Sequence, residues 1–241
     1  MPRFYCPRPL AAGALVDLPE TVARHLQVLR LAPGAPLTLF NGAGGQYAAR
    51  LAELDKKAAR AELLAFEPVD LELPYRITLA QGLPEGSKMD WIVEKAVELG
   101  VGAIAPLAAQ RSVVKLAGER ADKRREHWEA VVAAASEQCG RNRLAKVEPV
   151  AELGRHLAGP AAGQRLLLSP RATTSLTDWA RSGGPRAVTL LIGPEGGWSP
   201  AEEDIALAAG AIAVSLGARV LRTETAGLAA VTALNAVWGQ L

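Results

Sequence analysis

Leu190-Leu191-Ile192-Gly193-Pro194-Glu195-Gly196-Gly197-Trp198-Ser199-Pro200 is an apolar run that stops at a Gly/Pro turn and passes at once into a helix-start signal. About twenty residues later the same design returns as Ala213-Val214-Ser215-Leu216-Gly217-Ala218-Arg219-Val220-Leu221-Arg222-Thr223-Glu224-Thr225-Ala226. The runs Leu166–Leu168, Val188–Ile192 and Ile212–Leu216 read as short apolar strands, with helical segments between them. Strands that read this way are buried on both faces, and helices between them imply a parallel α/β sheet. Two strand-to-loop junctions so close together can build a ligand cleft from main chain, because glycine lets backbone approach a ligand closely.

The α/β texture extends back to Tyr75. Arg76–Ala80 reads as a strand, and Ser87 as the cap of a helix with Asp90 three residues on and Met89, Ile92, Val93, Ala96 and Val97 at helical spacing. Gly100 stops that helix and Val101–Leu107 is the next strand. Glu119–Gln138 is a long amphipathic helix with Trp128, Val131, Val132 and Ala135 on one face. Before Tyr75 the chain reads as short extended pieces: Leu37–Phe40, a hairpin-type Asn41-Gly42, Gln46–Leu54 and Ala59–Phe66. This resembles a small β-barrel, and the Pro-bounded stretch Glu67–Pro74 reads as a linker. The expected organisation is a barrel over 1–70 and an α/β domain over 75–241.

A 241-residue chain with 49% hydrophobic residues has ample core for this. The net charge of +2 neither demands nor excludes a nucleic-acid partner. Charge is uneven, however: residues 110–146 carry nine Lys/Arg against five Asp/Glu, and a local patch is what meets phosphate. Two cysteines, Cys6 and Cys139, support neither a disulfide framework nor a zinc site, and no His/Cys cluster suggests a metal. The first residues lack the apolar core of a signal peptide, and no apolar run approaches the roughly 20 residues that span a bilayer. A soluble, cytoplasmic protein without a membrane partner is expected.

Gly82-Leu83-Pro84-Glu85-Gly86-Ser87-Lys88 has the place of a phosphate loop but is one residue short, with Ser and Lys in the wrong order. The Gly193–Gly197 loop lacks the G-x-G-x-x-G dinucleotide fingerprint. Ser199, Pro200 and Glu202 form a capping box whose carboxylate sits at the positive helix end, which disfavours a polyphosphate there. The glycines alone would also suit a tight turn. The second loop adds apolar, cationic and anionic side chains, and an apolar slot rich in backbone donors and acceptors suits an adenine and a ribose.

These two loops together resemble the signature of SPOUT-class methyltransferases, and within them the 16S ribosomal RNA uracil-N(3) methyltransferase family. Further matches are Lys88-Met89-Asp90, Glu94–Val101, Gln110-Arg111-Ser112, Glu137–Arg141 and Arg24–Arg30, so the likeness runs over essentially the whole chain; Cys139 is a small departure. The resemblance implies a PUA-like RNA-binding barrel followed by an α/β trefoil-knot domain with a parallel sheet. It also implies S-adenosyl-L-methionine held by the knot loops, a homodimer with sites at its interface, and 16S rRNA within the small ribosomal subunit as partner. Cofactor contacts are expected at Leu168, Leu191, Gly193, Glu195, Gly196, Gly197, Ser215, Leu216, Gly217, Leu221 and Arg222.

Arg222 is the expected catalytic cation, facing a uracil carbonyl as negative charge develops, and Glu224 is either a base or the group that orients Arg222. A structural Arg222–Glu224 pair is the alternative. RNA contacts are expected at Arg3, Arg24, His25 and Arg30 in the barrel and at Arg111 and Arg141 beyond it, against ordinary surface charge. His127 and His156 read as helix-surface residues. Leu228, Val231, Leu234 and Trp238 form a stripe that serves either an interface or the core. Three rival functions stay open: a related SPOUT enzyme acting elsewhere on RNA (a ribose 2′-hydroxyl, for example), a non-catalytic RNA-binding assembly protein, and a small-molecule nucleotide enzyme.

Overall fold

A computed structural model of the chain describes residues 1–160 and 163–241. Its chain divides into two compact units, Met1–Glu72 with Ser136–Leu144, and Leu73–Ala135 with Ala145–Leu241.

The first unit contains β1 (Arg3–Tyr5), β2 (Leu15–Leu18), α1 (Glu20–Val28), β3 (Pro36–Phe40), β4 (Gln46–Leu54) and β5 (Ala59–Glu67). The five strands form one sheet in the order β1-β3-β4-β5-β2, antiparallel except for the parallel β1–β3 pair. Inward positions of these strands bury Phe4, Leu18, Leu37, Leu39, Leu51 and Leu63. The helix α1 lies in a region whose sequence predicts short extended pieces. It adds Val22, Ala23 and Leu26 to that core, residues that fall on one helical face.

The return of Ser136–Leu144 to this unit has a polar cause. Asn142 Nδ2 donates to the Val69 carbonyl at 2.7 Å, Arg143 Nε to Asp70 at 2.9 Å, and Arg3 Nη2 to the Arg141 carbonyl at 2.8 Å. Tyr5 N donates to the Glu137 carboxylate at 2.7 Å. Burial raises the pKa of Glu137, against the lowering effect of that backbone donor and of His25 and Arg3. A boundary drawn by sequence order alone does not contain this excursion.

The second unit contains β6 (Ile77–Gly82), α2 (Lys88–Glu98), β7 (Ala103–Leu107), α3 (Gly118–Cys139, whose last residues belong to the first unit), β8 (Lys146–Val147), α4 (Leu153–Ala158), β9 (Gln164–Leu168), α5 (Leu176–Gly183), β10 (Val188–Ile192), α6 (Pro200–Ala208), β11 (Ile212–Val214) and α7 (Thr223–Val237). Six parallel strands lie in the order β11-β9-β10-β6-β7-β8. Every residue of β6, β7 and β10 is buried, Thr78, Gln81 and Thr189 included, which is why those strands read as predominantly apolar runs. Alternate residues serve opposite faces. Ala80 and Leu191 join Leu153, Leu157 and Ala206 of α4 and α6, while Leu79, Gln81 and Ile192 meet α7 at Gly227.

From the edge strand β11 the chain returns through 215–222 to begin α7 against the central strands β10 and β6. That return is the path a knotted domain requires. Leu228, Val231, Leu234 and Trp238 are all buried, so their stripe is core within this unit. Two local expectations need correction. Ser87 precedes α2 but makes no side-chain cap, because its ψ of 7° is not the extended conformation a capping serine adopts. His156 is largely covered, and burial lowers its pKa against the raising effect of Glu148.

Candidate active site

The two glycine loops flank one cavity of about 610 Å3 in the second unit. Three chain segments build it, each leaving the C-terminal end of a parallel strand. Leu168–Arg171 follows β9, Ile192–Trp198 follows β10, and Leu216–Thr223 follows β11. Ligand crevices in open α/β sheets lie at these ends.

The β10 loop turns at Gly197, with φ 66° and its N–H bonded to the Pro194 carbonyl at 2.8 Å. Its approach to β6 demands Gly82, where a Cβ would stand 2.7 Å from the Pro194 nitrogen. The capping box is present: Glu202 N donates to Ser199 Oγ at 3.2 Å, and Ser199 N to Glu202 Oε2 at 2.9 Å. Glu202 Oε1 accepts from Gln110 N at 2.8 Å, so both carboxylate oxygens of this 5% exposed residue are engaged. A buried carboxylate at that helix end disfavours a polyphosphate there, and the cap already engages the Ser199 and Glu202 amides.

Side chains from neighbouring elements hold the loop from outside. Lys88 Nζ reaches Glu195 Oε1 at 2.7 Å, and Glu85 N donates to the same oxygen at 3.1 Å. Burial pushes the Glu195 pKa up, but hydrogen bonds from Lys88 and from backbone amides outweigh it, and the net shift is downward. The hydrogen bond to Glu195 raises the Lys88 pKa. Arg111 Nη1 donates to the carbonyls of Gly196 at 3.1 Å and Trp198 at 3.2 Å. Thr223 Oγ1, at the start of α7, donates to the Gly193 carbonyl at 2.6 Å and accepts from Gln81 Nε2 at 2.8 Å. This hydroxyl ties the first loop to the second.

Of the residues expected to hold a cofactor, Leu168, Gly193, Glu195, Gly196, Gly197, Leu216, Gly217, Leu221 and Arg222 line the cavity. Leu191 and Ser215 do not. Leu191 is wholly buried among Ala80, Leu167 and Trp198, and Ser215 bonds to Thr174, its N–H at 2.9 Å. Arg222 is exposed at the cavity and caps α7 with its carbonyl, which accepts from Thr225 N and Ala226 N at 2.9 Å. No ion pair joins it to Glu224 among the described residues, and Glu224 Oε2 is buried with no hydrogen-bond partner.

The residues expected at RNA fare differently. Arg3 is drawn inward, its Nη1 on Gln46 at 2.6 Å and its guanidinium over the Phe40 ring at 4.3 Å. Arg141 is 3% exposed and closed onto Glu72, which leaves no guanidinium face for a phosphate. Arg111 belongs to the cavity. Arg24 is exposed and paired with Glu20, His25 stacks edge-on against Phe4 with centroids 5.3 Å apart, and Arg30 is exposed.

Sequence reading passed over Ser169, Pro170 and Arg171, the Arg171–Glu203 ion pair at 2.5 Å, Thr223 and Gln81. A signal existed for two of these. Ser169-Pro170 ends an apolar strand, and Gln81 is an amide inside a buried one.

Comparison with known proteins agrees with this architecture. An RNA methyltransferase domain model matches residues 71–235, and an RNA methyltransferase PUA domain model matches residues 18–64. Ribosomal RNA small subunit methyltransferase E from Bacillus subtilis is 32% identical over 90% of this chain and 87% of its own length. The structure of the Neisseria gonorrhoeae ribosomal RNA small subunit methyltransferase E bound to S-adenosyl methionine superimposes with a TM-score of 0.91. It is 43% identical and covers 99% of this chain and 98% of that one. A Legionella pneumophila methyltransferase structure with bound cofactor SAM gives 0.92 at 35% identity over 98% and 97%. With a parallel sheet in one unit, a PUA-like barrel in the other and two glycine loops about one cavity, the chain belongs to the ribosomal RNA small subunit methyltransferase E family.

Proposed function

We propose that this chain transfers the methyl group of S-adenosyl-L-methionine to N3 of a uridine in 16S rRNA of the small ribosomal subunit. The observation that carries the reading is the single cavity walled by both glycine loops. Its residues fit the cofactor. Leu168, Ile192, Leu216 and Leu221 offer apolar walls for an adenine, and Gly193, Gly196, Gly197 and Gly217 bring main chain to the cavity wall. The capped helix beside it disfavours a polyphosphate.

S-adenosylmethionine supplies a methyl on an already activated sulfonium, so the protein's part is placement and proton handling. Holding both reactants in attack geometry contributes several kcal/mol. The loop clamps at Lys88, Arg111 and Thr223 serve that placement. Uracil N3 carries a proton at neutral pH. Arg222, with no ion-pair partner among the described residues, stabilises the imide anion that remains when the proton leaves. Glu224 does not line the cavity, so although Oε2 retains acceptor capacity, a role as base requires its carboxylate to turn toward the cavity. The first unit carries RNA contacts through phosphate and shape, and the target base is turned out of its stack. The enzyme acts in the cytoplasm as a homodimer, which sedimentation tests. No helix among the described residues is long and apolar enough to cross a membrane.

The test is incubation with labelled S-adenosylmethionine and undermethylated small subunits, followed by mapping of the labelled nucleotide. Label on uracil N3 of 16S rRNA is expected; label on a ribose or on another RNA overturns the assignment. Arg222→Ala retaining full turnover removes Arg222 from catalysis.

A further inference from the structure

The tip of α1 carries three features that the methyl-transfer site leaves unused. Arg30 has φ 54° and is the one non-glycine residue at positive φ among the described residues. It sits in a Schellman ending, where Leu31 N reaches the Leu26 carbonyl at 3.1 Å and Arg30 N the Gln27 carbonyl at 2.9 Å. Glycine is the residue that relieves the left-handed region at this position, because a Cβ is strained there. Secondly, Arg30 is exposed and has no ion pair among the described residues, whereas Arg24 on the same helix is held by Glu20 at 2.5 Å. Thirdly, Val28 is 78% exposed and Leu29 44%, directly beside that cation. Stability alone favours a glycine at 30 and polar residues at 28 and 29.

We propose that the last turn of α1 is an RNA-docking surface, with Arg30 on a phosphate and Val28 and Leu29 against ribose and base surface. The proposal rests on RNA being the substrate, as argued above. The unpaired guanidinium selects an anionic partner, and the RNA methyltransferase PUA domain match spans this helix. Function explains why a strained arginine is kept where glycine is easier. The competing explanation, that the cation complements the negative helix end, has the opposite signature, because removing Arg30 then lowers stability.

The experiment uses the full chain, undermethylated small subunits as RNA ligand, and a rising KCl series. Arg30→Gly is expected to weaken binding several-fold and to lower the slope of log K against log salt by about 0.7–0.9, one phosphate contact. Its thermal midpoint is expected not to fall. Arg30→Asn, which tolerates the same backbone, is expected to lose the same contact. Val28→Ser is expected to weaken binding with the slope unchanged. Unchanged affinity and slope in Arg30→Gly overturn the proposal. So does a Val28→Ser variant that changes oligomeric state and leaves RNA binding intact. Wild-type methylation and S-adenosylmethionine calorimetry on the same preparation separate the cases. If wild type fails to methylate, the functional reading falls; if it methylates and Arg30→Gly binds normally, only the α1 surface does.

Discussion

Thr223→Val changes one hydroxyl to a methyl and keeps the side-chain shape at a site only 6% exposed. The hydroxyl is the sole described side-chain bridge between Gly193 of the first loop and Gln81 of β6, at 2.6 and 2.8 Å. Valine leaves the Gly193 carbonyl without that donor. Gln81 Nε2 keeps one N–H on the Gly82 carbonyl at 2.9 Å, but its second N–H loses its acceptor along with the Gly193 carbonyl's donor. Stranding a buried partner costs about 1–3 kcal/mol. If the loss is expressed as misalignment of the two loops, about 2 kcal/mol corresponds to roughly 30-fold weaker cofactor binding. If it is expressed globally, the same 2 kcal/mol appears in the urea midpoint at unchanged m. Calorimetric titration with S-adenosylmethionine and urea unfolding, run on wild type, Thr223→Val and Thr223→Ser, divide the effect between the two. Serine retains the hydroxyl and is expected to restore most of it. Wild-type affinity and wild-type stability together in Thr223→Val refute the bridging role.

Arg111→Lys keeps the charge but replaces a rigid fork with one flexible point, so the shared contact to Gly196 and Trp198 is lost. The KM for S-adenosylmethionine is expected to rise about tenfold with little change in the salt dependence of RNA binding; a lowered salt slope returns Arg111 to the RNA interface. Gly197→Ala places a Cβ at φ 66° in open space, so the cost is backbone strain of about 1–2 kcal/mol, read as a lower melting temperature. Cofactor affinity is expected to be flat from neutral pH down to the ordinary carboxylate range. Glu195 is depressed below its unfolded value, so its pairing with Lys88 is fully present above that value and lost only as pH falls through the folded pKa. A midpoint of binding near pH 6 contradicts this. Glu137→Gln removes a carboxylate whose folded pKa is raised by burial, a group that favours folding below its unfolded pKa and opposes it once pH rises through the folded value. The variant is expected to melt higher at pH 8 and to show less pH dependence than wild type.

The second unit was legible because its central strands are buried on both faces, so Ile77–Gly82, Ala103–Leu107 and Val188–Ile192 carry their own signature. The Ser199–Pro200–Glu202 cap was legible because all its partners lie within one helical turn. The helix α1 was hidden for two reasons. Pro19 at its N-cap offers no side-chain cap, and the exposed Val28 and Leu29 blur the three-residue buried face. The return of Ser136–Leu144 to the first unit depends on bonds such as Asn142 to Val69, 73 positions apart, which leave no local periodicity. Charge counts drew Arg111 and Arg141 toward RNA. A guanidinium binds a carbonyl or a glutamate as readily as a phosphate, and only tertiary structure says which is nearest.

The cavity's backbone wall needs the support it receives. Three of the five residues Gly193–Gly197 are glycine, and glycine loses more conformational freedom on ordering than any other residue. A loop so composed does not hold a binding shape by its own preferences. Its shape is imposed from three directions: Lys88 on Glu195 from α2, Arg111 on the Gly196 carbonyl from the segment after β7, and Thr223 on Gly193 from α7, with the Ser199–Glu202 cap fixing the helix that follows. Two of the clamps, Arg111 and Thr223, also line the cavity, and they engage the carbonyls of Gly196 and Gly193. Contacts of this kind order the loop independently of a ligand, so less binding free energy is lost to immobilising it. Cofactor affinity in this chain should accordingly be as sensitive to Lys88 and Thr223 as to the residues that touch the ligand, and paired clamp variants should be non-additive because they act on one loop.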